Sequence, residues 1–97
     1  MDRAYTVHGT SFAWDEDKAR RNLARHGVSF ETAATVFFDP FLRLEDASRN
    51  AEERDAAIGF DAIQRLLYVV HIEIEGESIR IISARTATSE EQRRYDS

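Results

Sequence analysis

Two β-patterned runs, Leu66–Ile74 and Ser78–Arg85, stand on either side of Glu75-Gly76-Glu77, and this pairing constrains the fold more than anything else in the chain. Both are rich in strand-forming residues and bounded by turn residues, so they read as an antiparallel hairpin. The second run also carries Arg80 and Arg85 within an apolar strand. Arginine resists burial unless it is paired, and its forked donors match both carboxylate and phosphate. Taken alone, the strand favours ion-pair partners over a phosphate-handling surface.

With Glu75-Gly76 as the centre of a two-residue turn, Ile74 faces Glu77 and the remaining register follows. Ile72 then lies opposite Ile79, Val70 opposite Ile81 and Tyr68 opposite Ser83, an apolar face for helices to cover. On the other, helix-free face His71 is expected opposite Arg80, with Glu73 opposite Ser78, near enough to interact. Arg80 and Arg85 are five positions apart, so a regular strand points them to opposite sides. A shared cleft therefore requires the strand to bend or end near Ala84. In the preceding strand Asp55, Ala57 and Gly59 alternate with Ala56, Ile58 and Phe60. The small residues leave a shallow trough if they share the face of His71 and Arg80; otherwise this is ordinary alternation.

Upstream, the pattern is helical. A short strand is expected around Phe12–Trp14, then a helix capped by Asp15 and stopped after His26 by Gly27. Ser29 caps a second helix in which Phe30, Ala33, Ala34 and Phe37 recur on one face, and Asp39-Pro40 ends it. Strands are expected at Leu42–Glu45, Arg54–Phe60, Leu66–Ile74 and Ser78–Arg85, with Asn50–Arg54 a polar connection. Thr88 and Glu91 have capping-box spacing at the start of a short final helix. The expected class is α+β, with helices on one face of a small antiparallel sheet and a short C-terminal helix. Residues 1–11 are expected to be a flexible lead-in and 12–97 a single domain.

Composition narrows the function. Ninety-seven residues suit one domain, and the absence of cysteine excludes disulfides and thiolate metal sites. No run is apolar enough to span a membrane and Met1–Thr10 is not a secretory leader, so a soluble, cytoplasmic protein is expected. A net charge of -5 argues against a generic nucleic-acid sheath. The basic run Lys18, Arg20, Arg21, Arg25 contrasts with an acidic middle, Glu45 to Asp55, so RNA binding would need a local basic cleft. His8, His26 and His71 lack ligand spacing, and no nucleophile elbow or phosphate loop surrounds the serines. Trp14, Phe30 and Phe37 read as core. His26, at a helix end, has a structural reading in its interaction with last-turn carbonyls.

Metal-free RNA cleavage needs a base for the 2′-hydroxyl, a proton for the leaving oxygen and cations for the phosphorane charge. His71 titrates near neutrality, Arg80 and Arg85 suit a phosphate, Glu53 suits a base, and Arg54 and Lys18 add charge. Several ordered blocks then carry a resemblance: Phe12-x-Trp14-Asp15, Lys18, Asn22, His26-Gly27-Val28-Ser29-Phe30, Ala33-Ala34 and Val36-Phe37. They continue through Asp39-Pro40, Glu53-Arg54, Gly59, Arg65-Leu66-Leu67, Val69-Val70-His71, Ile79–Arg85 and Tyr95. From Phe12 to Tyr95 the chain resembles the BrnT family of toxins of bacterial type II toxin–antitoxin systems.

The resemblance implies a RelE-like ribonuclease that cuts RNA to inhibit translation and growth, without metal or cofactor. It also implies neutralisation by a BrnA-type antitoxin, which contacts operator DNA so that the toxin meets DNA only indirectly. The family's polar positions fall on Lys18, His26, Glu53, Arg54, His71, Arg80, Arg85 and Tyr95. Chemistry assigns proton transfer to His71 or Glu53 and the phosphate to Arg80, Arg85 and Arg54, leaving Lys18, His26 and Tyr95 to bind RNA. The alternative is a weakly catalytic module acting mainly through its antitoxin. Two features depart from the family pattern: Gln64 stands where the turn before Arg65-Leu66-Leu67 usually has glycine, and the lead-in is long.

Overall fold

The computed structural model describes residues 1–74, 76 and 78–97. Strands β1 (Asp2–Val7) and β2 (Thr10–Asp15) precede helices α1 (Glu16–His26) and α2 (Phe30–Ala34), which continues as a 3-10 turn over Thr35–Phe38. Strands β3 (Arg43–Asp46), β4 (Asp55–Phe60), β5 (Leu66–Ile74) and β6 (Ser78–Thr86) follow, and helix α3 (Ser89–Asp96) closes the series. The sheet has six strands in the order β1-β2-β6-β5-β4-β3. All neighbours are antiparallel except β2 and β6.

The caps explain the helix limits. The Asp15 side chain accepts from Lys18 N at 3.0 Å, while Glu16 and Asp17 in the first turn and Arg25 and His26 in the last oppose the helix dipole. Gly27 adopts φ 70°, and its N–H reaches the Leu23 carbonyl. Ser29 caps α2 through Thr32 N, and Thr88 and Glu91 form the expected capping box.

The sheet buries Phe12, Trp14, Leu67, Val69, Ile81 and Ala84 against Val28, Phe30, Ala33, Ala34 and Val36 of the helical layer. Trp14 meets Phe30 edge-on at 5.9 Å, so the aromatics are core, as expected. Asn22 of α1 is also buried. It donates to the Ala84 and Val28 carbonyls and accepts from Ala84 N, a surrogate strand partner along β6 beyond the β2 pairing, which covers Ser78–Arg80.

Three expectations need correction. Residues 2–7 of the expected flexible lead-in are a strand paired with β2 from Asp2↔Asp15 to Val7↔Thr10. Its short alternating pattern gave little apolar signal, because only Tyr5 and Val7 pack towards the core. The sheet is mixed rather than antiparallel, since β1 turns back into β2 and β2 runs alongside β6. Nor do all helices share a face. By register, Glu45, Ala56, Ile58, Tyr68, Val70, Ser83 and Arg85 lie opposite the main core. There α3 packs on β4 and is anchored through Arg94–Glu45 and Glu91–Arg85. Part of this second face remains open.

The hairpin register is displaced by one residue from the expected one; Glu75 of the expected turn and Glu77, the expected partner of Ile74, lie outside the described residues. Ile74 pairs with Ser78, Ile72 with Arg80 and His71 with Ile81. The register then shifts: Val70 pairs with Ser83, Val69 with Ala84 and Tyr68 with Arg85. Ile82 is thus the extra residue of a β-bulge. A bulge reverses parity, so Arg80, Ser83 and Arg85 share a face despite the odd spacing of the two arginines.

Candidate functional site

His71 is on the other face. It is buried to 4% exposure, with its ring edge-on to Phe37 at 4.8 Å. Its Nδ1 lies 3.2 Å from the Val69 carbonyl oxygen, to which only a protonated Nδ1 donates. Burial depresses its pKa below the ordinary value, outweighing the Val69 hydrogen bond and the charges of Asp55 and Glu73. The expected His71–Arg80 pair therefore does not form, and of the two readings of the small residues in β4 the open trough is the one that fails. Asp55, Ala57 and Gly59 do share His71's face, but the helical layer fills it. A Cβ on Gly59 would lie 3.1 Å from the Val36 carbonyl, so the small residues admit the 3-10 turn.

On the open face a groove of about 460 Å³ is lined by Ser48, Arg49, Arg54, Tyr68, Ser83 and Arg85, among others. Arg85 is fixed from two sides. Its guanidinium grips Glu91 through two bonds of 2.8 Å and lies 4.4 Å from the centre of the Tyr68 ring. Both groups come from the elements described above: Tyr68 is directly opposite Arg85, and Glu91 is the buried acid of the capping box. Burial pushes the Glu91 carboxyl up, but its bonds to Arg85 and Thr88 outweigh this and hold it below the usual carboxylate range. Burial raises the Tyr68 phenol, with the Glu91 and Glu45 charges adding to it, so Tyr68 remains a neutral donor.

Arg54 stands at the junction of this groove with a second cavity of about 450 Å³ that also holds Glu53, Asp55 and Glu73. One Nη of Arg54 binds Glu52 at 2.9 Å, while its buried Nε has no hydrogen-bond partner among the described residues. A tight turn supplies Arg49: Arg49 and Glu52 exchange backbone hydrogen bonds, with Asn50 and Ala51 both at positive φ. Three arginines and a neutral phenol on one groove match a phosphodiester more closely than an apolar ligand.

The other sequence candidates are dispersed. Arg80 shares the open face but is bound to Asp2, with Nη2–Oδ1 2.8 Å and Nη1–Oδ2 3.1 Å. Lys18 and His26 are exposed on α1, which packs on the covered face. Tyr95 donates to Asp39 Oδ2 at 2.6 Å and meets Phe60 edge-on; burial, then the Asp39 hydrogen bond, push its phenol up to about 12. Asp39 is held below its ordinary value, since bonds from Tyr95, Phe60 N and Phe41 N outweigh its desolvation. Among the described residues no three His, Cys, Asp or Glu side chains group as a metal site, and no helix is long and apolar enough to cross a membrane.

Tyr68, Ser83 and Arg49 line the groove and Glu91 holds its Arg85, and sequence reasoning singled out none of the four for chemistry. One signal was present. Apolar Ile79 and Ile81 alternate, but Ile82 follows at once and Ala84 continues in the opposite phase, a break in the period of two that an inserted residue makes.

The sequence model for the family described as ribonuclease toxin, BrnT, of type II toxin-antitoxin system matches residues 14–91. No curated protein matches the chain. Among solved structures, the Brucella abortus ribonuclease toxin BrnT, determined at 1.1 Å, is 26% identical with a TM-score of 0.58. The match covers 78% of this chain and 94% of that one.

Proposed function

Because the chain belongs to the BrnT family of ribonuclease toxins of type II toxin–antitoxin systems, we propose that it cleaves RNA on the open face of its sheet by acid/base chemistry that needs no metal. In this reading the groove between Arg54 and Arg85 holds the scissile phosphate. Arg54 and Arg85, the latter oriented by Glu91, neutralise the charge that develops on the phosphorane oxygens. Tyr68 donates a hydrogen bond to the phosphate. Glu53 takes the proton of the attacking 2′-hydroxyl and later returns it to solvent; the 2′-oxygen bonds to phosphorus as the bond to the 5′-oxygen breaks, and the leaving 5′-oxygen takes a proton from water, giving a 2′,3′-cyclic phosphate and a 5′-hydroxyl. Arg80 shares this face, but its guanidinium is engaged by Asp2. His71, buried on the opposite face, has no part in it.

The observation that supports this reading most directly is the bulge at Ile82, which places Arg80, Ser83 and Arg85 on one face with Arg54. It also answers the charge objection, since the cations are local on an acidic body. The wider proposal is of a RelE-like toxin that acts in the cytoplasm, inhibits translation and growth, and is silenced by a BrnA-type antitoxin. That antitoxin, and not the toxin, contacts operator DNA.

The test is cleavage of RNA by the purified chain in EDTA, with induction in a host lacking the antitoxin. Cleavage and growth arrest, both lost in Arg54→Ala, are expected; activity only with added divalent metal would overturn the metal-free step. One observation favours a second reading, a weakly catalytic module acting through its antitoxin: carboxylates already engage both Arg80 and Arg85. Growth-neutral induction with tight antitoxin binding would select it.

A further inference from the structure

The Arg80 side chain does not line the groove. It runs the other way, across β2 to β1, where Asp2 holds it in a two-pronged ion pair. The route is open because the intervening residues are small: Arg80 is beside Ala13, which is beside Ala4, and all three share the open face. On its other side Arg80 pairs with Ile72, which lines the cavity containing Glu53 and Arg54. Adjacent strands are about 4.8 Å apart, so either side lies within one arginine's length. Asp15, the next acid along this edge, is already engaged in capping α1.

We infer that β1 is an anionic latch: Asp2 occupies the guanidinium fork of Arg80, and an RNA phosphate must displace it for Arg80 to join the groove. The inference rests on the open face being the RNA-binding face. A carboxylate and a phosphodiester present the same pair of acceptor oxygens to arginine, so they compete for one fork. The Asp2 side chain is 66% exposed, which makes the latch a weak and reversible one that tunes affinity. Asp2 precedes residues 14–91, over which the family is matched, so the latch belongs to this chain's own N-terminal strand.

The test is binding of a single-stranded 2′-O-methyl oligoribonucleotide, in which the attacking hydroxyl is blocked, followed by fluorescence anisotropy across a salt series. Asp2→Asn is expected to tighten binding about 2- to 5-fold and to steepen the log–log salt dependence by about 0.7, one phosphate contact on a single strand. Arg80→Ala is expected to weaken binding, and Asp2→Asn to add nothing in the Arg80→Ala background. If Arg80→Ala weakens binding but Asp2→Asn does not strengthen it, the latch is wrong and the RNA-binding face stands. A loss of thermal stability in Asp2→Asn without tighter binding would make the pair a structural staple and equally refute the latch. Equal tightening with and without Arg80 would reduce Asp2 to general repulsion. Indifference of binding to Arg80→Ala would overturn the assignment of Arg80 to the RNA face, and the latch with it.

Discussion

On the covered face of the sheet His71 keeps 4% of its surface and is pressed against Phe37, whereas on the open face the side chains of Arg54, Arg80 and Arg85 keep 30%, 29% and 37% of theirs. All four belong to the same sheet or border it, and all four are residues from which phosphoryl-transfer chemistry can be built. The covered face makes histidine a poor titrating group, because desolvation disfavours its cation. The open face leaves the arginines hydrated and within reach of a ligand. Residue type therefore said less about role than the side of the sheet on which each residue falls, and a single inserted residue, Ile82, sets that side for Ser83 and Arg85.

The comparison breaks most visibly through the core. Phe30→Ala removes a fully buried ring packed on Trp14 and is expected to destabilise the fold by about 3–5 kcal/mol in denaturant titration, whereas truncating an open-face side chain such as Ser83 to alanine should change stability by less than about 0.5 kcal/mol. Glu91→Ala sharpens the contrast, because this acid both caps α3 and holds Arg85. A loss of about 1.5–3 kcal/mol is expected from its charged hydrogen bonds. A near-neutral result would show that Arg85 orients itself.

A pH series addresses His71 directly. Its folded pKa lies below the ordinary 6.5, so under more acid conditions the unfolded chain binds a proton that the folded chain refuses. The contribution to stability is complete above pH 6.5 and is lost as the pH falls through the window down to the depressed folded value. Unfolding free energies from about pH 7 to about pH 5 should fall more steeply for the wild type than for His71→Leu. Parallel curves would place His71 in a solvated site. The smallest effect is expected at Gln64, which sits at φ 69° in the left-handed region. Gln64→Gly relieves a cost of about 1–2 kcal/mol, partly offset by glycine's greater unfolded-state freedom, so a thermal scan should show a modest gain. A loss would mean that the Gln64 side chain contributes to the turn.

Much of this was legible in the sequence. The Asp15, Ser29 and Thr88 caps, the Gly27 stop and the strand limits follow from short-range chemistry, and they fall within a residue or so of their expected places. What escaped depended on long-range pairing. The parallel docking of β2 on β6 leaves no local signature, and β1 carries too few apolar residues to announce itself. The hairpin register hinged on a turn length that cannot be read from Glu75-Gly76-Glu77, and a displacement of one residue moved His71 to the opposite side from Arg80. The same cause hid Tyr68 and Ser83, while Glu91 was read only as a cap. Arg85, whose odd spacing from Arg80 argued against a common face, shares one with it because of the bulge.

The central claim is that RNA is handled on the bulged open face and that His71 belongs to the core. It is tested most directly by the rate of RNA cleavage in EDTA for His71→Leu and Arg54→Ala, each normalised to its folded fraction. His71→Leu is expected to stay within about 3-fold of wild type, as suits a tolerated apolar replacement in a core, and Arg54→Ala to fall about 100-fold. The reverse pattern, with cleavage abolished by His71→Leu and spared by Arg54→Ala, would contradict the account.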